Sequence, residues 1–391
     1  MNLLFDFIPF QDAGGIGGAA GFTKAVLDEI VRRKNDKVQL FAIYDGSVPV
    51  GRLYDYRILA EQYHITLLNI SQKPISEMIA EHHIDVVFIS VGQFYGRYNL
   101  TGITCKTIMF IHDIFDIEAA DNRIELAIHD ANIESNWQWT KRLVNVLSGR
   151  WNRQRTKNYR NIMSLYAAQN TIPYTVSEYT AAALRYYFPE INSIRVCYSP
   201  ARKVTMEEHI HDTKLRQLIE QGSPYLLLLA ANRRFKNAHV LTKVFKRLQS
   251  EYPELHLLTL KYGKSIGSHH IDIPLLSESD LQYAYIHAKA LVFASFFEGF
   301  GYPPIEALRY GTQVVASNTT SIPEILGNAG IYFSPFYPAG LYQALKKVLS
   351  TDCTCSTAMQ ERYTAVSQRQ EEDLRKLVNE LLTYNGCLYI Q

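Results

Sequence analysis

Ser295-Phe-Phe-Glu298-Gly-Phe-Gly-Tyr-Pro303-Pro304-Ile-Glu306-Ala-Leu-Arg-Tyr-Gly311 is the most informative stretch of the chain. The apolar run Ala290–Ser295 ahead of it reads as a buried strand, Gly299 and Gly301 make a loop, Pro304 sits where a helix starts and Gly311 where it stops. Gln313–Ser317 then resumes as a strand, so the stretch is one strand-loop-helix-strand unit. Glycines ahead of a helix N-terminus expose backbone N–H groups, and the helix dipole adds partial positive charge there. Together they make a phosphate-binding cradle. Glu298 and Glu306 lie eight apart across this corner. One carboxylate is therefore expected to face a ligand at the loop while the other reaches it from the first helical turn. Two arbitrary glutamates would have a plainer reading, one complementing the helix dipole and one in solvent.

Outward from this unit the same order recurs. Candidate strands are Leu3–Ile8, Val38–Tyr44, Val86–Ser90, Thr107–His112 and Tyr174–Ser177, then Tyr225–Ala231, His256–Tyr262, Ala290–Ser295, Gln313–Ser317 and Gly330–Phe333. They are continuous apolar runs, as parallel strands covered on both faces require. Amphipathic stretches such as Phe22–Arg33 and Asn237–Leu248 alternate with them, which predicts doubly wound α/β domains. A polar connection around Tyr198–Pro224 separates two such series. The expected domains are 1–198, with a helical excursion over 119–169, then 199–370, and a final helix over 371–391 crossing back to the first.

The 391 residues suit two domains, and 47% hydrophobic with 20% charged residues excludes a disordered chain. Lys+Arg 40 against Asp+Glu 38 gives a formal charge of +2 and no global attraction to nucleic acid, so no nucleic-acid partner is expected. No stretch approaches the roughly 20 apolar residues of a membrane span. The start Met1-Asn2-Leu3-Leu4-Phe5-Asp6 lacks the basic and apolar regions of a signal peptide. Five scattered cysteines predict no disulfide framework and a cytoplasmic location. No Asp-x-Asp motif occurs, so no metal is called for.

Three further motifs sit at strand ends. After Leu229-Ala-Ala come Asn232, Arg233, Arg234, Lys236 and Asn237, a basic turn suited to a diphosphate, with Asn237 able to cap the next helix. The turn leaves Arg233 and Arg234 open as the diphosphate partner. The glycine loop Gly14–Gly21 follows the first strand. Its Gly15-x-Gly17-x-x-Ala20 spacing, with Asp45 ending the second strand, also fits a dinucleotide fingerprint. Phe110-Ile-His112-Asp113 ends a strand where ligands of open α/β sheets bind. Separately, Lys141–Arg160 has seven basic residues and no acidic one, with Trp137, Trp139 and Trp151 near or within it. It reads either as a solvated helix face or as a peripheral contact, over 137–160, with an anionic membrane surface or a lipid-diphosphate acceptor.

The stretch from Glu298 to Glu306 resembles the Glu-x7-Glu signature of the retaining nucleotide-sugar glycosyltransferases, glycosyltransferase family 4 (group 1), which includes sucrose synthase and phosphatidylinositol mannosyltransferase. The resemblance extends through Leu276–Tyr285 upstream and through Gly311–Asn318 and Ser321–Ile325 downstream, and also covers the Arg…Lys-Asn turn, the Gly-Gly-Ile-Gly loop and the His-Asp pair. It implies the GT-B architecture, two facing Rossmann-like domains with an interdomain cleft, and transfer of a hexose from a UDP- or GDP-sugar to a hydroxyl of a saccharide or lipid-linked acceptor, in bacterial cell-surface polysaccharide synthesis. In that family Glu298 would hold donor-sugar hydroxyls and Glu306 the ribose, while Lys236 and Arg233 hold the pyrophosphate. The backbone of Gly299, Phe300, Gly301, Pro304 and Ile305, with Gly15 and Gly17, would line the donor, and His112 would contact the donor sugar or acceptor region. No cofactor is implied. A nicotinamide-dependent oxidoreductase and a non-catalytic sugar-nucleotide sensor are the competing readings.

Overall fold

Strands rich in Leu, Ile, Val and Phe cannot be left half wet, and the computed structural model buries them in two separate parallel sheets. It describes residues 1–11, 18–51, 54–96, 98–121, 140, 144, 148, 150–165, 170–202, 207–351 and 357–383. The chain divides into two compact units: Met1–Ile117, Gln154–Arg202 and Gln368–Gln391 form one, and Glu118–Arg153 with Lys203–Ser367 the other.

The first unit holds β1 (Asn2–Asp6), β2 (Gln39–Tyr44), β3 (Thr66–Asn69), β4 (Val86–Ile89), β5 (Lys106–Ile111), β6 (Thr171–Thr175) and β7 (Arg195–Val196). They lie in the order β3-β2-β1-β4-β5-β6-β7 with every ladder parallel. The second unit holds β8 (Tyr225–Leu228), β9 (His256–Leu260), β10 (His270–Ile273), β11 (Ala290–Phe293), β12 (Val314–Ser317) and β13 (Gly330–Phe333). Their order, β10-β9-β8-β11-β12-β13, is again parallel throughout. Each sheet thus has the doubly wound order, with its direction of winding reversing between β1 and β4 in one and between β8 and β11 in the other. Crevices that accept ligands lie at such reversal points, outside the carboxyl ends of the strands.

All four residues of β4, β8, β11 and β12 are buried, as covering both faces requires. The first core gathers Leu4, Ile43, Val87, Ile89, Met109 and Ile111, and the second Leu226, Leu241, Phe245, Leu257, Val292 and Val315. Three strands escape the sequence reading, β3, β7 and β10. Of the expected excursion over 119–169, residues 122–139 and several up to 149 lie outside the described residues, as does 166–169. Helix Arg150–Leu165 turns Ile162 and Leu165 into the core of the first unit. Tyr159, part of the expected membrane-facing run, stacks on Phe188 at 4.7 Å and donates to Glu190. Trp137 and Trp139 are outside the described residues. Among the described residues no helix is long and apolar enough to cross a membrane.

Candidate functional site

Lys236 and Glu298 are 62 residues apart in sequence, and sheet topology brings them together because β8 and β11 are neighbours. The turn after β8 is a 3-10 segment, Arg234–Lys236, closed by the Lys236 N–H donating to the Arg233 carbonyl at 3.0 Å. Asn237 follows with φ 51°, and its side-chain amide donates to the Pro335 carbonyl at 2.9 Å. The expected side-chain cap on the next helix, Ala238–Leu248, is therefore absent: Asn237 reaches away to the segment after β13. The loop after β11 is fastened to this turn, with the Phe296 N–H on the Phe235 carbonyl at 2.8 Å.

Lys236 is 7% exposed, and its Nζ donates to Glu298 Oε1 at 2.5 Å while lying 4.4 Å from the centre of the Phe293 ring. An ammonium so far withdrawn from water needs both partners, a carboxylate and a ring face. Arg233 and Arg234, earlier on the same turn, have exposed side chains. The loop that carries Glu298 and Gly299 is held from the next crossover. The Glu298 N–H donates to Thr320 Oγ1 at 3.0 Å, and Ser321 Oγ donates to the carbonyls of Glu298 and Phe300, each at 3.0 Å. These serine and threonine roles were not legible from sequence; Ser321 fell within the Ser321–Ile325 resemblance, and Thr320 fell outside it.

Gly301, with φ 102°, is the N-cap of helix Tyr302–Arg309, so the glycine sits where a side chain would be strained. The helix begins at Tyr302 rather than at Pro304, with both prolines accommodated in its first turn, where no N–H is required. Glu306 is thereby the fifth helical residue, one turn in from the N-terminus, and does not sit in the first turn as expected. Its Oε2 accepts from the hydroxyl of the buried Tyr285 at 2.9 Å. Phe300, Pro304 and Ile305 are buried. A cavity of about 450 Å³ lies at the carboxyl ends of β12 and β13, lined by Asn318, Thr319, Tyr332, Ser334, Pro335 and Phe336.

His112 belongs to the first unit, at the end of β5. Its ring donates from Nε2 to the Ser90 carbonyl at 2.8 Å, and burial pushes it down to about 4. It is neutral at neutral pH. Gly15 and Gly17 lie outside the described residues. On one side of them Gln11 is buried, its amide donating to the carbonyls of Asp45 and Val48 and accepting from the Asp45 N–H, each at 2.9 Å. Asp45 itself is buried and accepts from the Tyr98 and Ser47 hydroxyls, each at 2.5 Å. Its carboxylate serves the fold, which removes the acidic ribose ligand that the dinucleotide reading needed.

Residues 211–369 match the family described as Glycosyl transferases group 1. Over 58 residues the chain is 48% identical to O-antigen chain mannosyltransferase B of Escherichia coli, covering 15% of each chain. It is 27% identical over 189 residues to O-antigen chain mannosyltransferase RfbU of Salmonella typhimurium, covering 46% of this chain and 50% of the relative. The matches thus span half or less of the length of these two curated relatives. Among solved structures, Anabaena Alr3699/HepE in complex with UDP and glucose superposes with a TM-score of 0.63 at 14% identity, covering 97% of this chain and 99% of that one. The fold is GT-B. The part of the chain from the helix before β8 into the final helix is thus similar to the group 1 glycosyltransferase domain.

Proposed function

We propose that this chain transfers a hexosyl group, mannose first among the candidates, from a nucleoside diphosphate sugar to a hydroxyl of a saccharide or lipid-linked acceptor. The transfer retains configuration at the anomeric carbon, as in glycosyltransferase family 4, and builds a cell-surface polysaccharide of the O-antigen kind. One observation carries the reading: Lys236 and Glu298, a cation and a carboxylate held 2.5 Å apart at the winding reversal of a doubly wound sheet, beside a glycine-initiated helix. The names of the two mannosyltransferases support the hexose and the kind of product.

In this reading the bond between the anomeric carbon and the diphosphate oxygen breaks, and a bond to the acceptor oxygen forms on the same face. The electron pair leaves with the diphosphate. Lys236 and Arg233 meet the charge developing there, and the amides of the Gly299–Gly301 loop add fixed dipoles. The leaving phosphate takes the acceptor's proton. Glu298 accepts hydrogen bonds from sugar hydroxyls, and Glu306 from ribose hydroxyls. The diphosphate charge is met without a divalent ion.

The test is thermal stabilisation of the full chain by UDP-, GDP-, dTDP- and ADP-sugars, followed by transfer of labelled sugar to oligosaccharide acceptors with and without EDTA. Stabilisation by one donor class and EDTA-resistant transfer are expected. A chain that none of the four stabilises, and that neither transfers nor slowly hydrolyses them, is not this enzyme. A shift produced by NAD instead would restore the oxidoreductase reading.

A further inference from the structure

Asp6 closes β1 at the winding reversal of the first sheet, the place where a doubly wound domain ordinarily leaves a crevice. It is nevertheless completely buried. A carboxylate withdrawn from water must be met by donors, and four converge on it. Oδ1 accepts from the Tyr95 hydroxyl at 2.6 Å and the Ile8 N–H at 3.1 Å, and Oδ2 accepts from the Ser90 hydroxyl at 3.0 Å and the Ser90 N–H at 3.2 Å. Ser90 directly follows β4. It spends its single hydroxyl proton on Asp6, and its oxygen lies 2.7 Å from the Thr23 hydroxyl, which is also placed to donate to the Ala19 carbonyl at 3.0 Å. Thr23 lies on helix Gly18–Arg33, immediately after the glycine loop.

The carbonyl of the same Ser90 accepts from His112 Nε2 at 2.8 Å. A carbonyl can only accept, so the proton is on Nε2, and the neutral ring leaves a lone pair on Nδ1. The ring is braced edge-on by Phe22 at 4.9 Å. Among the described residues Nδ1 has no hydrogen-bond partner. We propose that Asp6 is a positioning residue: by fixing both donors of Ser90, its N–H and its hydroxyl, it aims the Ser90 carbonyl, locks His112 as the Nε2–H tautomer, and leaves Nδ1 to accept a hydrogen bond from a saccharide hydroxyl. The last clause rests on the proposed glycosyl transfer; the rest does not. His112 is then an acceptor for a neutral hydroxyl and contributes no positive charge to a diphosphate.

Asparagine cannot replace this aspartate. Its amide has one accepting oxygen, and its NH2 would confront either the Tyr95 hydroxyl or the Ser90 donors. Burial pushes Asp6 up to about 6 against the pull of its four donors, so its own protonation tests the arrangement in the unaltered chain. Among the described residues no cation touches it. The titratable group that faces it is Tyr95, whose ring packs 5.5 Å from Tyr98.

The experiment is long-range 15N–1H correlation of the histidine rings in the full-length chain, wild type and Asp6→Asn. In wild type, His112 should show a protonated Nε2 and an unprotonated Nδ1 at neutral pH, and in D6N a mixture of tautomers. In wild type, the Ser90 amide and the His112 Nε2 proton should also titrate together with the Asp6 carboxyl carbon, near the about 6 of that group and well above the histidine's own ionisation. This second measurement decides if D6N does not fold. A protonated Nδ1 in wild type, an unchanged tautomer in folded D6N, or a Ser90 amide indifferent to the Asp6 titration overturns the proposal. D6N should transfer sugar about tenfold more slowly or worse. Full transfer with a scrambled tautomer would strike out the saccharide clause alone. Failure of wild type to bind or transfer any sugar would sink the proposed function while leaving the ring measurement valid.

Discussion

Lys236 and Glu298 each lose most of their hydration in the folded chain, and each is tolerable because the other is there. Removing one leaves an uncompensated charge, which costs more than the pair contributes. Lys236→Ala should therefore do two separable things. It should cut turnover by about a hundredfold or more, through loss of a preorganised partner for the leaving diphosphate. It should also destabilise the chain by roughly 3 kcal/mol, because Glu298, with a side chain 13% exposed, is stranded. K236M/E298Q should recover most of the stability and none of the activity, as read by urea unfolding and single-turnover transfer. Near-wild-type turnover in K236A would end the lysine's assignment. These two residues could be named as candidates from the sequence because each follows a strand end, one within a basic turn and one within a Glu-x7-Glu spacing. Asp6 could not be: it fell inside the candidate strand Leu3–Ile8, where no spacing singles it out. Only its four donors, drawn from segments up to 89 positions away, reveal a buried carboxylate. Asp45 misled for the same reason, since sequence does not show that Tyr98 and Ser47 occupy it.

At the level of elements, helix Tyr302–Arg309 has both ends written in glycine. At its end Gly311, with φ 73°, donates to the Leu308 carbonyl at 3.1 Å, and the Thr312 N–H donates to the Ala307 carbonyl at 2.9 Å. This pair of bonds satisfies carbonyls that the helix leaves open. At the start, Gly301→Ala places a Cβ in ordinary contact distance of Phe293 and Pro304, 3.8 Å from each, so crowding is not the difficulty. The backbone angle is. The variant should lose about 1–2 kcal/mol in urea unfolding, with transfer reduced because the loop carrying Glu298 shifts. Unchanged unfolding would show that the loop relaxes without strain. The strands that escaped sequence reading share one property: β3, β7 and β10 are all edges of their sheets. Their sequences, Thr-Leu-Leu-Asn, Arg-Val and His-Ile-Asp-Ile, are short and part polar. An edge strand has one neighbour and keeps polar side chains, so the apolar run that announces a central strand never develops.

For the whole molecule, the near-zero net charge says little, and the arrangement of the two units in the sequence says more. Helix Thr357–Leu382 begins in the second unit and finishes in the first. Its last turns bury Leu377, Val378 and Leu381. Glu380 accepts from the Tyr174 hydroxyl at 2.7 Å and from Arg195 at 2.6 Å, and lies 3.3 Å from Lys106, which docks the helix across β5, β6 and β7. Glu380→Ala should destabilise the first unit by about 1–3 kcal/mol, since a buried hydroxyl and two cations lose their acceptor. Donor affinity, which the second unit is proposed to supply, should hold when measured by calorimetry. A tenfold change in donor affinity would contradict that division.

The route of this helix also bears on how the protein is made. A ribosome emits Met1–Arg202 long before Gln368, so the first sheet emerges lacking the helix that covers β5 to β7. The stretch Lys203–Ser367 is released in one piece and can fold as it appears. The later half of the polypeptide should therefore mature first. The earlier half waits, its apolar surface in need of shielding, until the final helix leaves the exit tunnel.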